Sequence, residues 1–477
     1  MKKIKIIGGG LAGPEAALQA ATRGCEVDLY EMRPIRSTEA HQTSDFAELV
    51  CSNSLKSESE NTAPWLLKQE MRRAGSLLLA EAAAAAVPAG HALAVDRVEF
   101  SRRVAERIAA EPRITVHREE VTSLNENDPG MLTILASGPL TSPALAAELQ
   151  RLTGADHLAF YDSISPIVDA TTIDMSKVYF AARYDKGTAD YINCPFTKEE
   201  YERFLDALTT AEAVPAKQWE RIPTESQTSV ESGAAGPASG TWVSTQPAQA
   251  PIADKLQYFE GCLPIEETAR RGRDTLRFGP MKPVGLTDPK TGRWPYAVVQ
   301  LRQENLRADS YNLVGFQNHL KYGEQQRVLH LIPGLENATF LRYGQIHRNT
   351  YIHAPSLLTE TLQLKAHPNI MVAGQLSGVE GYTESIASGM LAGIYAAAIA
   401  DSRDPHPAPR LSANGSLTHY ITHAETKRFQ PANITFDLLP PLEEDLRKKI
   451  RDKKERHKLQ CDRALAAWDQ WLESGAR

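Results

Sequence analysis

The sequence predicts an α/β protein: a Rossmann-like dinucleotide-binding domain interrupted by a mixed α+β insertion domain. Three observations lead there. An apolar run at residues 4–7 enters a turn with Gly8, Gly10 and Gly13, and the acidic Glu31 closes a second apolar run. Another strand, glycine turn and small-residue helix stands at residues 369–400, far along the chain. Between them, residues 155–335 change texture, with strand-like segments alternating with polar loops.

Residues 4–7 suit a buried strand. The spacing of Gly8, Gly10 and Gly13, with Gly9, Leu11 and Ala12 between them, lets the backbone turn tightly and approach a pyrophosphate. The helix that follows, opening near Leu11, aims its positive end at those phosphates. Residues 16–22 are helix formers, Gly24 is a stop, and residues 26–30 read as a second strand. Glu31 then stands about twenty residues beyond the glycines, where a ribose hydroxyl would be gripped. Alone the glycines are an ordinary turn; the strand, turn, helix, strand and acid together point to a dinucleotide.

A chain of 477 residues buries more than one core, so two domains are expected. Lys+Arg 53 against Asp+Glu 59 leaves a net charge of -6, so nucleic-acid contact would need a local basic face. Five scattered cysteines have no paired metal spacing, so no metal is expected, and their sparse use fits a reducing compartment. No signal-peptide pattern follows the first lysines, which reads as cytoplasmic. The apolar stretch 77–87 contains Glu81 and halts at Pro88, too short to cross a bilayer. No membrane contact is expected, and the sequence leaves the oligomeric state open, a monomer being one option.

Residues 41–53 form a polar loop, suited to running past a cofactor or lying on a surface. Within it, Cys51 reads first as a buried thiol and second as a reactive one. Residues 94–108 read as helical, and 114–117, 121–124 and 131–136 as strands, the last running into Ser137-Gly138-Pro139. That turn suggests a domain boundary near 150, so residues 1–150 and 335–400 would form the discontinuous cofactor domain and 151–334 the insertion. Strand-like segments at 167–173, 178–184 and 296–301 accompany one clear helix, 198–208. Residues 215–251, rich in Ser, Thr, Ala, Gly and Pro, read as a mobile insertion. Cys262 follows Gly261 and precedes Pro264, a rigid turn as suited to structure as to chemistry.

Arg270, Arg271, Arg273, Arg277, Lys282 and Arg293 then cluster with Phe278, Trp294 and Tyr296. Charge with interleaved aromatics suits a phosphate-tracking surface, although a solvated face is commoner. Gln317, Asn318, Tyr343, His347, Asn349 and Tyr351 look like pocket lining, with His347 more a structural hydrogen bonder than an acid or base. A second glycine turn carries Gly374, Gln375, Gly381 and Tyr382, and a helix at 383–400 follows. Two such turns at opposite ends suit FAD threaded between halves of one domain. Residues 401–477 read as a proline-rich tail and a basic helix at 443–472.

The phrases Ile7-Gly8-Gly9-Gly10-Leu11-Ala12-Gly13-Pro14-Glu15-Ala16, Glu48-Leu49-Val50-Cys51-Ser52-Asn53-Ser54, Tyr258-Phe259-Glu260-Gly261-Cys262-Leu263-Pro264-Ile265-Glu266, Phe278-Gly279-Pro280-Met281-Lys282-Pro283-Val284-Gly285-Leu286 and Ala373-Gly374-Gln375 to Tyr382 closely resemble the bacterial folate- and FAD-dependent tRNA uridine methyltransferases, the TrmFO family. The polar stretch before Leu256 is a departure, since family members are expected to lack it. The resemblance implies a glutathione-reductase type of FAD domain and 5-methylation of the T-loop uridine at tRNA position 54. Methylenetetrahydrofolate would supply the carbon, reduced FAD the electrons, and NAD(P)H would be the outside reductant. It also implies that Cys262 adds to uracil C6 and that Cys51 removes the C5 proton or assists methylene transfer.

Three rivals remain at this level. A wobble-uridine modifying flavoprotein of the GidA type shares FAD, folate and tRNA but is a longer chain with a further helical domain. A tRNA-binding folding factor would hold its flavin structurally. A small-molecule flavin oxidoreductase would not bind tRNA.

Overall fold

A computed structural model of the chain describes residues 3–38, 40–124, 131–154, 158–185, 188–214 and 263–476, with the side chains of 158–163, 346–348, 428 and 475–476 outside that description. The expected mobile insertion at 215–251 and the candidate thiol Cys262 both lie outside the described residues.

The first sheet has five parallel strands in the order Ile370–Val372, Leu132–Leu135, Lys3–Ile7, Glu26–Tyr30 and Ile114–His117. Its central strand comes from one end of the chain and an edge strand from nearly 370 residues later, so both must be present to complete it. Strands covered on two faces read as apolar runs, and Ile4, Ile6, Leu29, Ile134 and Val372 are all fully buried. Helix Ala12–Thr22 lies against helix Tyr382–Ala400, and glycines set their separation. A Cβ at Gly389 would stand 2.3 Å from the Ala12 carbonyl oxygen, and one at Gly393 2.6 Å from that of Ala16. The two backbones therefore touch. Among the described residues, helix Tyr382–Ala400 is the one long and apolar enough to span a bilayer, but 89% of that window is buried here in the core.

The second sheet has six strands in the order Tyr179–Ala181, Tyr191–Phe196, Ala297–Gln303, Ser310–Leu313, Ile167–Asp169 and Phe340–Arg342. All of its pairings are antiparallel. Helix Lys198–Thr210 packs on it through Tyr201, Phe204, Leu205 and Leu208. Thr197 and Glu200 start that helix by exchanging hydrogen bonds between side chain and backbone, satisfying two donors a helix end leaves open. A mixed α+β unit thus sits between the two parts of the parallel sheet.

Local departures from expectation have physical causes. Residues 92–95 form a strand, not a helix start, because Asp96 accepts hydrogen bonds from Val98 and Glu99 and so fixes helix Arg97–Ala109 at its first turn. Residues 121–124 form no strand. Helix Pro143–Thr153, capped by the Ser142 hydroxyl, was absent from the sequence reading. The basic helix breaks at 450–452, where Asp452 caps a new helix, Lys453–Trp471.

Residues 401–477 are more than a tail. They contribute helices Ala413–His423 and Lys453–Trp471, and Leu417, Cys461, Ala464 and Trp468 join the core of the parallel sheet. Glu70, fully buried, ties them in. Its carboxylate accepts from Ala413 N (2.6 Å), Asn414 N (2.9 Å) and Asn414 Nδ2 (2.8 Å), capping the new helix, while its carbonyl accepts from Trp468 Nε1 at 2.7 Å. Burial outweighs these donors and pushes the carboxyl up to about 7.

Candidate cofactor cavity and thiol wall

Each glycine of the first turn has its own task. Gly8 lies at φ +118°, and a Cβ there would meet the Ala136 carbonyl at 2.3 Å. At Gly13 a Cβ would come within 1.9 Å of the Gly8 carbonyl oxygen, so this residue lets helix and strand close up. A Cβ on Gly10 would meet nothing within 4 Å. It faces the open cavity, which is also lined by Gly8, Gly9, Leu11, Ala12, Glu31, Cys51, Asn349, Gly374, Gln375 and Tyr382.

Two helix N-termini reach the cavity, through Leu11 and Ala12 and through Tyr382 and Ser385, so positive helix ends face it from both parts of the chain. Val50, Pro139 and Leu140 give it apolar wall. Asn349, in the same lining, has a buried Oδ1 with no hydrogen-bond partner among the described residues. An open glycine face, two positive helix ends, apolar walls and an unmet acceptor fit a flavin dinucleotide.

Glu31 lines the cavity with its carboxylate already engaged. Oε2 accepts from Gly9 N at 2.8 Å and Oε1 from Arg33 N and Nε, both at 2.9 Å. Burial opposes its charge, yet these donors and the Arg33 guanidinium hold its pKa below the ordinary value. Arg33 also pairs with Glu48 at 3.1 Å, which in turn accepts from the backbone of Gln42 and Thr43. The loop across the mouth is thereby pinned by charge.

Cys51 stands in the wall, half-buried. Its backbone N–H donates to the Tyr382 hydroxyl at 2.7 Å, and that of Ser52 donates to the same oxygen at 3.2 Å. Burial pushes the Tyr382 phenol well above its ordinary pKa, so it holds this loop as a neutral acceptor. Arg97 and Arg342 both interact electrostatically with Cys51. Arg97 pairs with Glu304 at 2.7 Å and donates to the Leu49 carbonyl at 2.8 Å.

Behind the thiol, Asn53 joins strand Ala92–Val95 to the six-stranded sheet. Its Nδ2 donates to the carbonyls of Val95 and Gln303, and its Oδ1 accepts from Arg302 Nε at 2.9 Å and Asn312 Nδ2 at 3.2 Å. Arg302 also donates to the Ser52 hydroxyl at 2.8 Å. Removing the Tyr382 hydroxyl leaves two backbone donors without that acceptor, at a cost of about 1–3 kcal/mol. Tyr382→Phe is therefore expected to unfold at lower denaturant concentration and to expose Cys51 to faster alkylation; unchanged values for both would refute the clamp.

The structure brings Gly8, Gly9, Gly10, Leu11, Ala12, Glu31, Cys51, Gly374, Gln375 and Tyr382 to one cavity. Gly13 and Gly381 support it from outside the lining. Gly381, at φ +111°, opens the long helix where a Cβ would meet Glu384 Oε2 at 2.5 Å. Of the expected pocket amides and aromatics with described side chains, Asn349 alone lines the cavity. Asn318 instead bonds its own turn, and Tyr351 packs edge-on to Phe429. The side chain of His347 lies outside the described residues.

In the arginine cluster, Arg270 pairs with Glu267, Arg273 with Asp206 and Arg277 with Asp274, while Arg277 also stacks 3.7 Å over Tyr296. Phe278 and Trp294 stay exposed. The sequence reading missed Arg33, Arg97 and Arg302 as site residues. For Arg302 a signal existed: a guanidinium inside the apolar strand Ala297–Gln303 demands a buried partner.

Comparisons with known proteins agree with this geometry. Residues 3–235 and 243–404 match the family model described as Glucose inhibited division protein A. The chain is 66% identical over 470 residues to the methylenetetrahydrofolate--tRNA-(uracil-5-)-methyltransferase TrmFO of Koribacter versatilis (strain Ellin345), covering 98% of both. It is 50% identical over 473 residues to the TrmFO of Enterococcus faecalis (strain ATCC 700802 / V583), covering 99% of both. Among solved structures, Aquifex aeolicus GidA in its form I crystal shares the fold at a TM-score of 0.66 and 16% identity, covering 100% of this chain and 76% of that one.

Proposed function

The chain belongs to the Glucose inhibited division protein A family, and from that premise we propose that it is a methylenetetrahydrofolate- and FAD-dependent tRNA (uracil-5-)-methyltransferase acting on the T-loop uridine at tRNA position 54. The observation that carries this reading is a half-buried cysteine in the wall of a cavity built by two glycine turns, in a chain matched end to end by relatives bearing that enzyme name. Residues 1–150 and 335–400 act as the FAD-binding domain, with 151–334 as the insertion that meets substrate. NAD(P)H is the outside reductant, and the reaction takes place in the cytoplasm.

The glycine faces and helix N-termini would hold the pyrophosphate, with Asn349 in the same lining. Bound there, reduced FAD supplies the hydride that completes the methyl group. The protein's own work is nucleophilic and basic. Uracil C5 is a poor nucleophile until a group adds to C6, and Cys262 is assigned that addition, forming a carbon–sulfur bond that later breaks. Cys51 is assigned removal of the C5 proton or assistance in methylene transfer, with Arg97 and Arg342 within electrostatic reach of it. The target base must leave its stack to reach these groups, so the arginines from Arg270 to Arg293, with exposed Phe278 and Trp294, are the proposed surface for the tRNA elbow.

A GidA-type wobble-uridine activity is the less favoured reading, since the TrmFO relatives are 66% and 50% identical to this chain while the matched GidA structure is 16% identical. The two are separated by supplying methylenetetrahydrofolate, NAD(P)H and an unmodified tRNA, then mapping modified nucleosides by mass spectrometry. 5-Methyluridine at position 54 is the expected product; modification confined to position 34, or none, would overturn the assignment.

A further inference from the structure

Away from the cavity, helix Ala413–His423 carries His419 and His423 one turn apart and therefore on one face. Their rings stack 4.2 Å apart with planes 15° from parallel. Glu360, in the loop that precedes strand Ile370–Val372, reaches across to both. Its Oε1 lies 3.1 Å from His419 Nδ1 and 3.7 Å from His423 Nδ1. One donor atom from each of the three residues can be chosen so that all lie within 4.8 Å of one another.

Those spacings bracket what a metal requires. Ligands about 2.0–2.1 Å from a tetrahedral Zn²⁺ stand about 3.3 Å apart, which the two measured nitrogen–oxygen distances straddle. The helix is held in place, with Ser412 and Glu70 fixing its first turn. The three side chains remain between about a third and half exposed, open to an ion arriving from solvent. Arg410 lies within electrostatic reach of Glu360.

We propose that Glu360, His419 and His423 form a binding site for a divalent transition metal of the Zn²⁺ class, with a fourth position left to water. Two imidazoles and one carboxylate select such ions over Mg²⁺ or Ca²⁺, which take all-oxygen sets. The ion ties the helix of the C-terminal segment to the loop entering the last strand of the parallel sheet. This site is separate from the flavin cavity, none of whose lining residues it shares.

The test uses untagged, FAD-loaded protein, stripped with a chelator, dialysed against Zn²⁺ and assayed for metal by mass spectrometry. The wild type is expected to hold one more equivalent than His419→Ala/His423→Ala, and Zn²⁺ is expected to raise the melting temperature of the wild type alone. Thiol-bound metal is common to both proteins and cancels in the difference. Should the double variant lose its FAD or its cooperative melt, Glu360→Gln, on a loop, is expected to weaken Zn²⁺ binding about tenfold. Equal metal content in the wild type and a folded variant, or no Zn²⁺ response in the wild type, reduces the cluster to an ion pair and overturns the proposal.

Discussion

Gly10→Val gives a folded chain that no longer retains FAD, whereas Gly13→Val loses the fold. The two glycines lie three residues apart in one turn, yet a Cβ on the first meets nothing within 4 Å and one on the second meets backbone at 1.9 Å. A valine at 10 therefore projects into space where the pyrophosphate belongs and weakens FAD by at least about a hundredfold, ~2.7 kcal/mol. A valine at 13 must push the first helix off its strand, costing about 3 kcal/mol or more by overpacking. Flavin absorbance after desalting reads the first effect, and thermal melting reads both. Retention of FAD by Gly10→Val within tenfold of the wild type would show that the turn does not cradle the cofactor.

Cys262→Ala abolishes methylation and leaves tRNA binding and FAD content intact. Without a nucleophile at C6 the uracil C5 gains no enolate character, so the expected loss is at least about 10⁴-fold, roughly 5 kcal/mol of barrier. A folding factor with a structural flavin would instead be indifferent to this change. Cys51→Ala also lowers the rate, but its test is the point of failure: C6 addition persists while proton removal or methylene transfer fails. Loss of tRNA binding in either variant would move the thiols from chemistry to architecture.

The parallel sheet was legible because its signals are local: residues 4–7 and 26–30 are apolar runs punctuated by glycine, and they formed strands within a residue or two of expectation. Cys51 was ambiguous for the opposite reason. What marks it as a site residue is Tyr382, more than 330 positions away, together with Arg97 and Arg342. No window of sequence contains that environment. The C-terminal segment misled for a related reason, since its charges dominate composition while its packing rests on sparse residues such as Trp468, whose partner is the carbonyl of Glu70. Strand 92–95 was hidden by the helix-forming alanines around it, and tertiary pairing with residues 54–57 and 86–87 decided the outcome.

Covalent capture tests the proposed chemistry most directly. A T-loop RNA carrying 5-fluorouridine is incubated with FAD-loaded protein, NAD(P)H and methylenetetrahydrofolate, then resolved under denaturing conditions. Fluorine cannot be removed as a proton from C5, so the wild type is expected to form a denaturation-resistant RNA adduct that is missing from Cys262→Ala. An enzyme that methylates ordinary tRNA yet forms no adduct, or an adduct that persists in Cys262→Ala, would contradict the assignment of that thiol as the nucleophile.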